Sequence, residues 1–175
     1  TGLLFILRWF WWRVNVASEL TPSNRPELVK EFASYCNTDL LCFRSASPKD
    51  LAARQEKTWQ PILDWAAKEY VVALTVTTHI KAPQQVASAL SAARDYAASL
   101  DNVDLTLLLH FTATFGSGVL ALALMEGYLS VNTAYEVSRL DEIFQNERWG
   151  EDEEAIERAQ NIAKELAAIA ALIKE

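Results

Sequence analysis

Residues 105–125, "LTLLLHFTATFGSGVLALALM", run for 21 positions without a charge. Such a length matches the apolar core of a bilayer, which about 20 helical residues cross. The flanks argue otherwise. They are Asp101, Asp104 and Glu126, while the nearest basic residues are Arg94 and Arg139, so the basic flank that orients membrane helices is missing. The stretch also carries three threonines, His110, Ser117 and two glycines. A helix apolar on every side equally suits the centre of a helical bundle. Gly116 and Gly118 would then let neighbours approach closely, despite the helix propensity each costs. We read one helix over 102–127 that serves as a buried rod.

The remaining chain supplies the helices to surround it. From Pro83 onward the pattern is helical, with expected helices at 83–99, 130–149 and 152–174. Upstream, "TPSNRPELVKEFASYC" carries a start signal in Ser23 or Asn24, with Pro26 near the first turn and Glu27 at the positive helix end. "SPKD" opens a second helix, with Ser47 as cap, Pro48 at the first position and Asp50 reaching back. Leu51, Gln55, Trp59, Ile62 and Ala66 follow on one face, and Pro61 should kink or restart the helix. "TDLLCFR" (38–44) lacks helical period and reads as extended. "YVVALTVTTH" (70–79) is β-branched, a short strand or an extended connection. The expected fold is mainly α: a helical bundle around a central apolar helix, with at most a short strand or extended segment near 70–78.

Composition agrees with one domain. The chain has 175 residues, 51% hydrophobic, with only 5 Gly and 5 Pro, which disfavours turn-rich all-β folds and disorder. Cys36 and Cys42 form neither a zinc pattern nor a disulfide framework. Ten nearly apolar residues, Leu3 to Trp12, are too short to span a bilayer. They read as a segment whose apolar face packs on something, with a membrane-surface helix as the alternative. On this reading residues 1–20 are an N-terminal apolar segment and residues 21–175 a helical domain.

Function is bounded first by charge. The net charge of −7 disfavours a nucleic-acid partner. It is also uneven, +2 over residues 1–100 and −9 over 101–175, so the acidic third is either a solvated face or a surface for a basic partner. His110 lies among Leu109 and Phe111 and reads as a hydrogen-bonded core histidine; His79 has no visible partner in the sequence. No histidine or cysteine spacing supplies a metal site. "FGSGV" lacks the spacing of a nucleophile elbow or a phosphate loop. The expectation is a protein without catalysis, metal or cofactor.

The region 138–155, "SRLDEIFQNERWGEDEEA", points elsewhere. Ala134, Val137, Leu140 and Phe144 share one helical face and should pack on the rod. Asp141 and Arg148 flank that face. Tyr135, Arg139, Glu142, Asn146 and Trp149 form a second stripe, polar in the middle and aromatic at its ends, and Gly150 is a natural stop. Aromatic anchors with an arginine between them have the composition of a protein-binding hot spot. The alternative is that Trp149 folds under the next helix and Tyr135 packs on an edge.

"TDLLCFR", Pro48, Gln55, Trp59, "PILDW" (61–65), "GSGVLALALMEG" (116–127) and "SRLDE…WGEDEEA", in that order, resemble the ATP synthase F(1) assembly chaperone family that attends the alpha subunit. The resemblance covers residues 20–165. It implies a β-rich N-terminal domain followed by a helical domain, to which this chain would correspond, with no catalysis and no cofactor. It implies binding of unassembled alpha subunit, protection from aggregation, and delivery for assembly with beta subunits. The family's functional acidic position in the "RL(D/E)E" segment falls on Asp141 or Glu142; the outward stripe favours Glu142. Arg139, Trp149 and the run from Glu151 to Glu154 are its expected neighbours. Two features depart from the pattern: the β-rich domain and its usual text are absent, and the family tends to carry glycines where this chain has "EYVVAL" and "TTHIK". The expected setting is a monomer in the bacterial cytoplasm, with the mitochondrial matrix second. A membrane-attached helical protein is the rival.

Overall fold

The structure, a computed structural model, describes residues 21–150, 153–171 and 173. Eight α-helices lie among the described residues: α1 (Thr21–Asn37), α2 (Lys49–Tyr70), α3 (Ala87–Ser99), α4 (Asn102–Phe115), α5 (Gly118–Met125), α6 (Val131–Ser138), α7 (Leu140–Trp149) and α8 (Glu153–Ala170). The expected mainly α bundle is what forms. Its one sheet-like feature there is a parallel bridge between Phe43 and Thr77, which ties the chain before α2 to the extended segment after it. "TDLLCFR" turns through a 3-10 helix at Leu40–Cys42 before extending at Phe43, so only its end is extended.

The centre is α5. Every residue from Gly118 to Leu124 is buried, and α1, α2, α4 and α6 pack around it. The rod is shorter than expected, because 102–127 is two helices. Gly116 caps α4 in the left-handed region at φ 65°, and Ser117 restarts the chain as the cap of α5. The cause lies some 80 residues upstream. The buried Asp39 carboxylate accepts from Ser117 Oγ at 2.7 Å, Val119 N at 3.0 Å and Leu41 N at 3.0 Å. Leu40 N also donates to the Gly116 carbonyl at 3.2 Å. A carboxylate at a helix start satisfies free N–H groups and the helix dipole together. At about 1.5 Å per residue, α5 is roughly 12 Å long, and no described helix is long and apolar enough to cross a membrane. Of the two glycines, Gly118 makes the close approach: a Cβ there would meet Cys36 Sγ at 2.6 Å and the Phe32 ring at 3.2 Å.

The predicted face of α2 is buried as read, through Leu51, Gln55, Trp59, Ile62 and Ala66. Helix boundaries moved. Pro48 is itself the cap of α2, after a cis Ser47–Pro48 bond, with no side-chain cap. Helix α2 continues through Pro61. Helix α1 is already helical at Thr21, the first described residue of that stretch, and contains Pro26. Tertiary contacts anchor its first described turns: the Thr21 hydroxyl bonds that of Thr106 at 2.8 Å, and Arg25 donates to Asn102 and to the Ala98 and Leu100 carbonyls. The expected helix from 83 begins only at Ala87. Before it, the buried Gln85 side chain bonds Thr75 N and the Thr75 carbonyl, as a neighbouring strand would. The expected N-terminal segment, residues 1–20, lies outside the described residues.

Candidate functional site

The predicted helix at 130–149 is also two helices, α6 and α7, parted at Arg139 (φ −105°, ψ 16°). Ser130 starts α6 by accepting from Thr133 N. The inner face is as read: Ala134, Val137, Leu140 and Phe144 are buried. Just before the break, the buried Trp59 indole donates to the Val137 carbonyl at 3.1 Å. A buried indole N–H needs an acceptor, and it takes one at the end of α6.

The outer stripe becomes a connected set rather than a row of exposed anchors. Tyr135 is buried, which corrects its expected role as an outward aromatic end. Its hydroxyl accepts from Arg139 Nη1 at 2.9 Å, and the guanidinium sits 5.5 Å from its ring centroid. The other end of the guanidinium pairs with Glu142. Partial burial alone would lower the Arg139 pKa, but the bonds to Tyr135 and Glu142 outweigh it and raise the value. Arg139 is therefore a fixed cation. Glu142 stays exposed, Asn146 is half-buried, and Trp149 is 77% exposed beside the Gly150 stop. Glu151 lies outside the described residues.

The two neighbouring acids face different ways. Asp141 is half-buried and accepts from Gln55 Nε2 at 2.7 Å, while Gln55 Oε1 accepts from Ser45 N at 2.7 Å. Asp141 thus belongs to the seam between α7 and α2. Arg148 is exposed; it pairs with Asp50 and lies 4.5 Å from the Phe144 ring centroid.

Tyr135, Arg139 and Glu142 line a groove of about 630 Å³ between the end of α4, the α6–α7 break and the first half of α8. Asp141, Asn146 and Trp149 lie outside its lining. Sequence reasoning missed the opposite walls: Leu40 and Phe115 below, and Ala155, Arg158, Ala159 and Ile162 from α8. One signal was present. Ala155, Ala159, Ile162, Leu166 and Ile169 recur at helical spacing. Leu166 and Ile169 are buried in the bundle, whereas Ile162 is 39% exposed. The first half of α8 therefore overhangs the groove with its apolar stripe only partly covered.

The reactive groups elsewhere hold the fold together. Ser117 caps α5 and donates to Asp39. His110 is half-buried, with its ring 5.5 Å from that of Phe111, rather than a core residue, and His79 is exposed. Both cysteines are free and buried, and burial pushes the Cys42 thiol up to about 12. Among the described residues no group of three potential metal ligands comes together. The groove offers surface, a fixed cation and an exposed carboxylate. That is equipment for holding another chain.

Residues 12–67 match the family model described as ATP12 chaperone protein. The chain is similar to the crystal structure of Atp12 from Paracoccus denitrificans, with 34% identity and a TM-score of 0.85, covering 91% of this chain and 68% of that one. A point mutant of the same P. denitrificans protein matches at 33% identity and TM-score 0.86 over the same shares. The Atu1473 protein of Agrobacterium tumefaciens matches at 31% identity and TM-score 0.84, covering 93% of this chain and 62% of that one. With about a third of the aligned residues identical over 91% of this chain and 68% of the P. denitrificans Atp12 chain, in the same bundle, the chain belongs to the ATP12 chaperone family.

Proposed function

We propose that this chaperone serves assembly of the F(1) sector of ATP synthase by binding unassembled alpha subunit and keeping it from aggregating. The observation that carries the reading is the likeness to Atp12 over 91% of the chain. The surface fits the task. A large aromatic at 77% exposure, with a carboxylate and a fixed arginine along the same helix edge, has the composition of a contact surface for a partner chain. A client chain would complete its burial.

The mechanism is occlusion. Trp149 and the groove beneath α8 would cover an apolar client surface that otherwise joins the wrong partner. Glu142 and Arg139 at the rim would select orientation and keep the complex exchangeable, since rim charges mostly steer association. Of the two acids, Glu142 is our choice for client contact, because Asp141 already serves Gln55. Asn146 and Glu151 are proposed as flanking contacts. No catalytic step or cofactor enters this scheme. We place the protein as a monomer in a bacterial cytoplasm, the relatives above being bacterial, with the mitochondrial matrix second.

The test is a capture assay with isolated alpha and beta subunits. Selective retention of alpha, with less alpha aggregation on dilution from denaturant, is the expected result. Equal capture of both, or of neither, would remove alpha as the client.

A further inference from the structure

A second surface lies away from the groove and shares no residue with it. It gathers at the C-terminal end of α2, on α3, and at the turn after α5. Trp65 and Tyr128 stack at 4.4 Å between centroids with 7° between planes. Tyr70 packs on Trp65 at 5.2 Å and meets Tyr96 edge-on at 5.5 Å. Both phenols donate to one carboxylate, Tyr70 to Glu126 Oε2 and Tyr96 to Glu126 Oε1, the latter at 2.7 Å.

Three properties distinguish this cluster from ordinary packing. First, it is open: Glu126 is exposed, Tyr128 is 43% exposed and Val71 is 63% exposed. Second, its charge lacks a counter-ion, since no ion pair among the described residues reaches Glu126. Burial and the bond to Glu126 raise the Tyr70 phenol to about 12, and burial with Glu126 raises Tyr96 as well, so both stay protonated donors. The carboxylate remains the local charge, and its oxygens keep lone pairs to spare. Third, Val71 caps α2 in the left-handed region at φ 60°. A β-branched residue there is strained by about 1–3 kcal/mol, where glycine would sit without cost. The turn nonetheless leaves an exposed isopropyl group next to Tyr70 in the chain.

From this geometry we infer a docking surface for a protein partner that presents a guanidinium side chain flanked by an aliphatic one. The guanidinium would bridge the Glu126 carboxylate and the exposed ring of Tyr128, which Trp65 backs by stacking, as cations over electron-rich rings do. The aliphatic neighbour would cover Val71. Charge complementarity selects this occupant: a second copy of the chain would bring net negative charge to an already anionic patch.

The probe is the blocked tripeptide acetyl-Leu-Arg-Leu-amide, with its citrulline counterpart as the neutral isostere. Each is titrated against the full chain while the Trp65 indole N–H is followed by NMR. The arginine peptide should shift that signal saturably, and citrulline should weaken binding about fivefold or more. Glu126→Gln, which keeps one acceptor oxygen for the two phenols, should weaken the arginine peptide to the level of citrulline. Its melting temperature should be lowered, with circular dichroism confirming that the variant is folded at the titration temperature. Tyr128→Ala provides a second variant that leaves the phenol–carboxylate bonds intact, and should weaken both peptides. Absence of a saturable shift, equal binding of the two peptides, or shifts that track protein concentration without peptide would overturn the inference. The last outcome would mean self-association. None of these outcomes depends on capture of alpha, so either proposal can fail alone.

Discussion

Two breaks in apparently continuous helices shape this molecule, and they are put to opposite uses. At Gly116–Ser117 the chain turns inside the protein, and the fully buried Asp39 receives three donors. At Arg139 it turns at the rim of a groove, and the freed guanidinium is shared between Tyr135 and an exposed glutamate. The first break shortens the central rod and fixes its neighbours. The second presents charge outward. A buried interruption must be satisfied completely, because each orphaned donor is costly; an interruption at the surface can leave its charges free for a partner.

That contrast is broken most violently at Asp39. Asp39→Ala would strand Leu41 N, Val119 N and the Ser117 hydroxyl, and should cost about 3–5 kcal/mol, a large share of a stability of about 5–15 kcal/mol. Chemical denaturation would read the loss; a change under 1 kcal/mol would mean that the break does not depend on the carboxylate. Titration sharpens the same point. Burial raises the Asp39 carboxyl from 3.8 to about 6, against the hydrogen bonds from Val119, Ser117 and Leu41, which lower it. A raised acid binds its proton more tightly folded than unfolded, so its contribution to stability is full below pH 3.8 and is lost as pH rises through about 6. The amount is about 3 kcal/mol. Across pH 4–7 wild type should therefore lose stability relative to Asp39→Asn as pH rises; parallel curves would contradict the assignment. Smaller again, Gly118→Ala should cost about 1–3 kcal/mol by pressing on Cys36 and Phe32.

Sequence periodicity revealed what each helix buries and little of where helices stop. The faces of α2 and of α6–α7 were legible because Leu51 to Ala66 and Ala134 to Phe144 repeat at helical spacing and meet the same core. The breaks were hidden because their causes come from far along the chain: the Asp39 carboxylate for one, the Trp59 indole at the other. Tyr135 looked like an anchor by its position on the stripe, yet it is buried at the floor of the groove, bonded to Arg139. The groove itself escaped notice because its walls, at Leu40, Phe115 and Ile162, come from three separate stretches. Glycine carried two meanings that spacing alone could not separate, a left-handed cap at 116 and a close contact at 118.

The central claim is that the second break faces a client while the first serves only the fold. Its most direct test is Glu142→Arg, measured for alpha-subunit capture and for unfolding free energy side by side. Glu142 is the exposed end of its pair with the partly buried Arg139, and such a pair contributes about 1 kcal/mol, so stability should fall by no more than about that while capture falls at least tenfold. Undiminished capture by a folded variant would contradict the account.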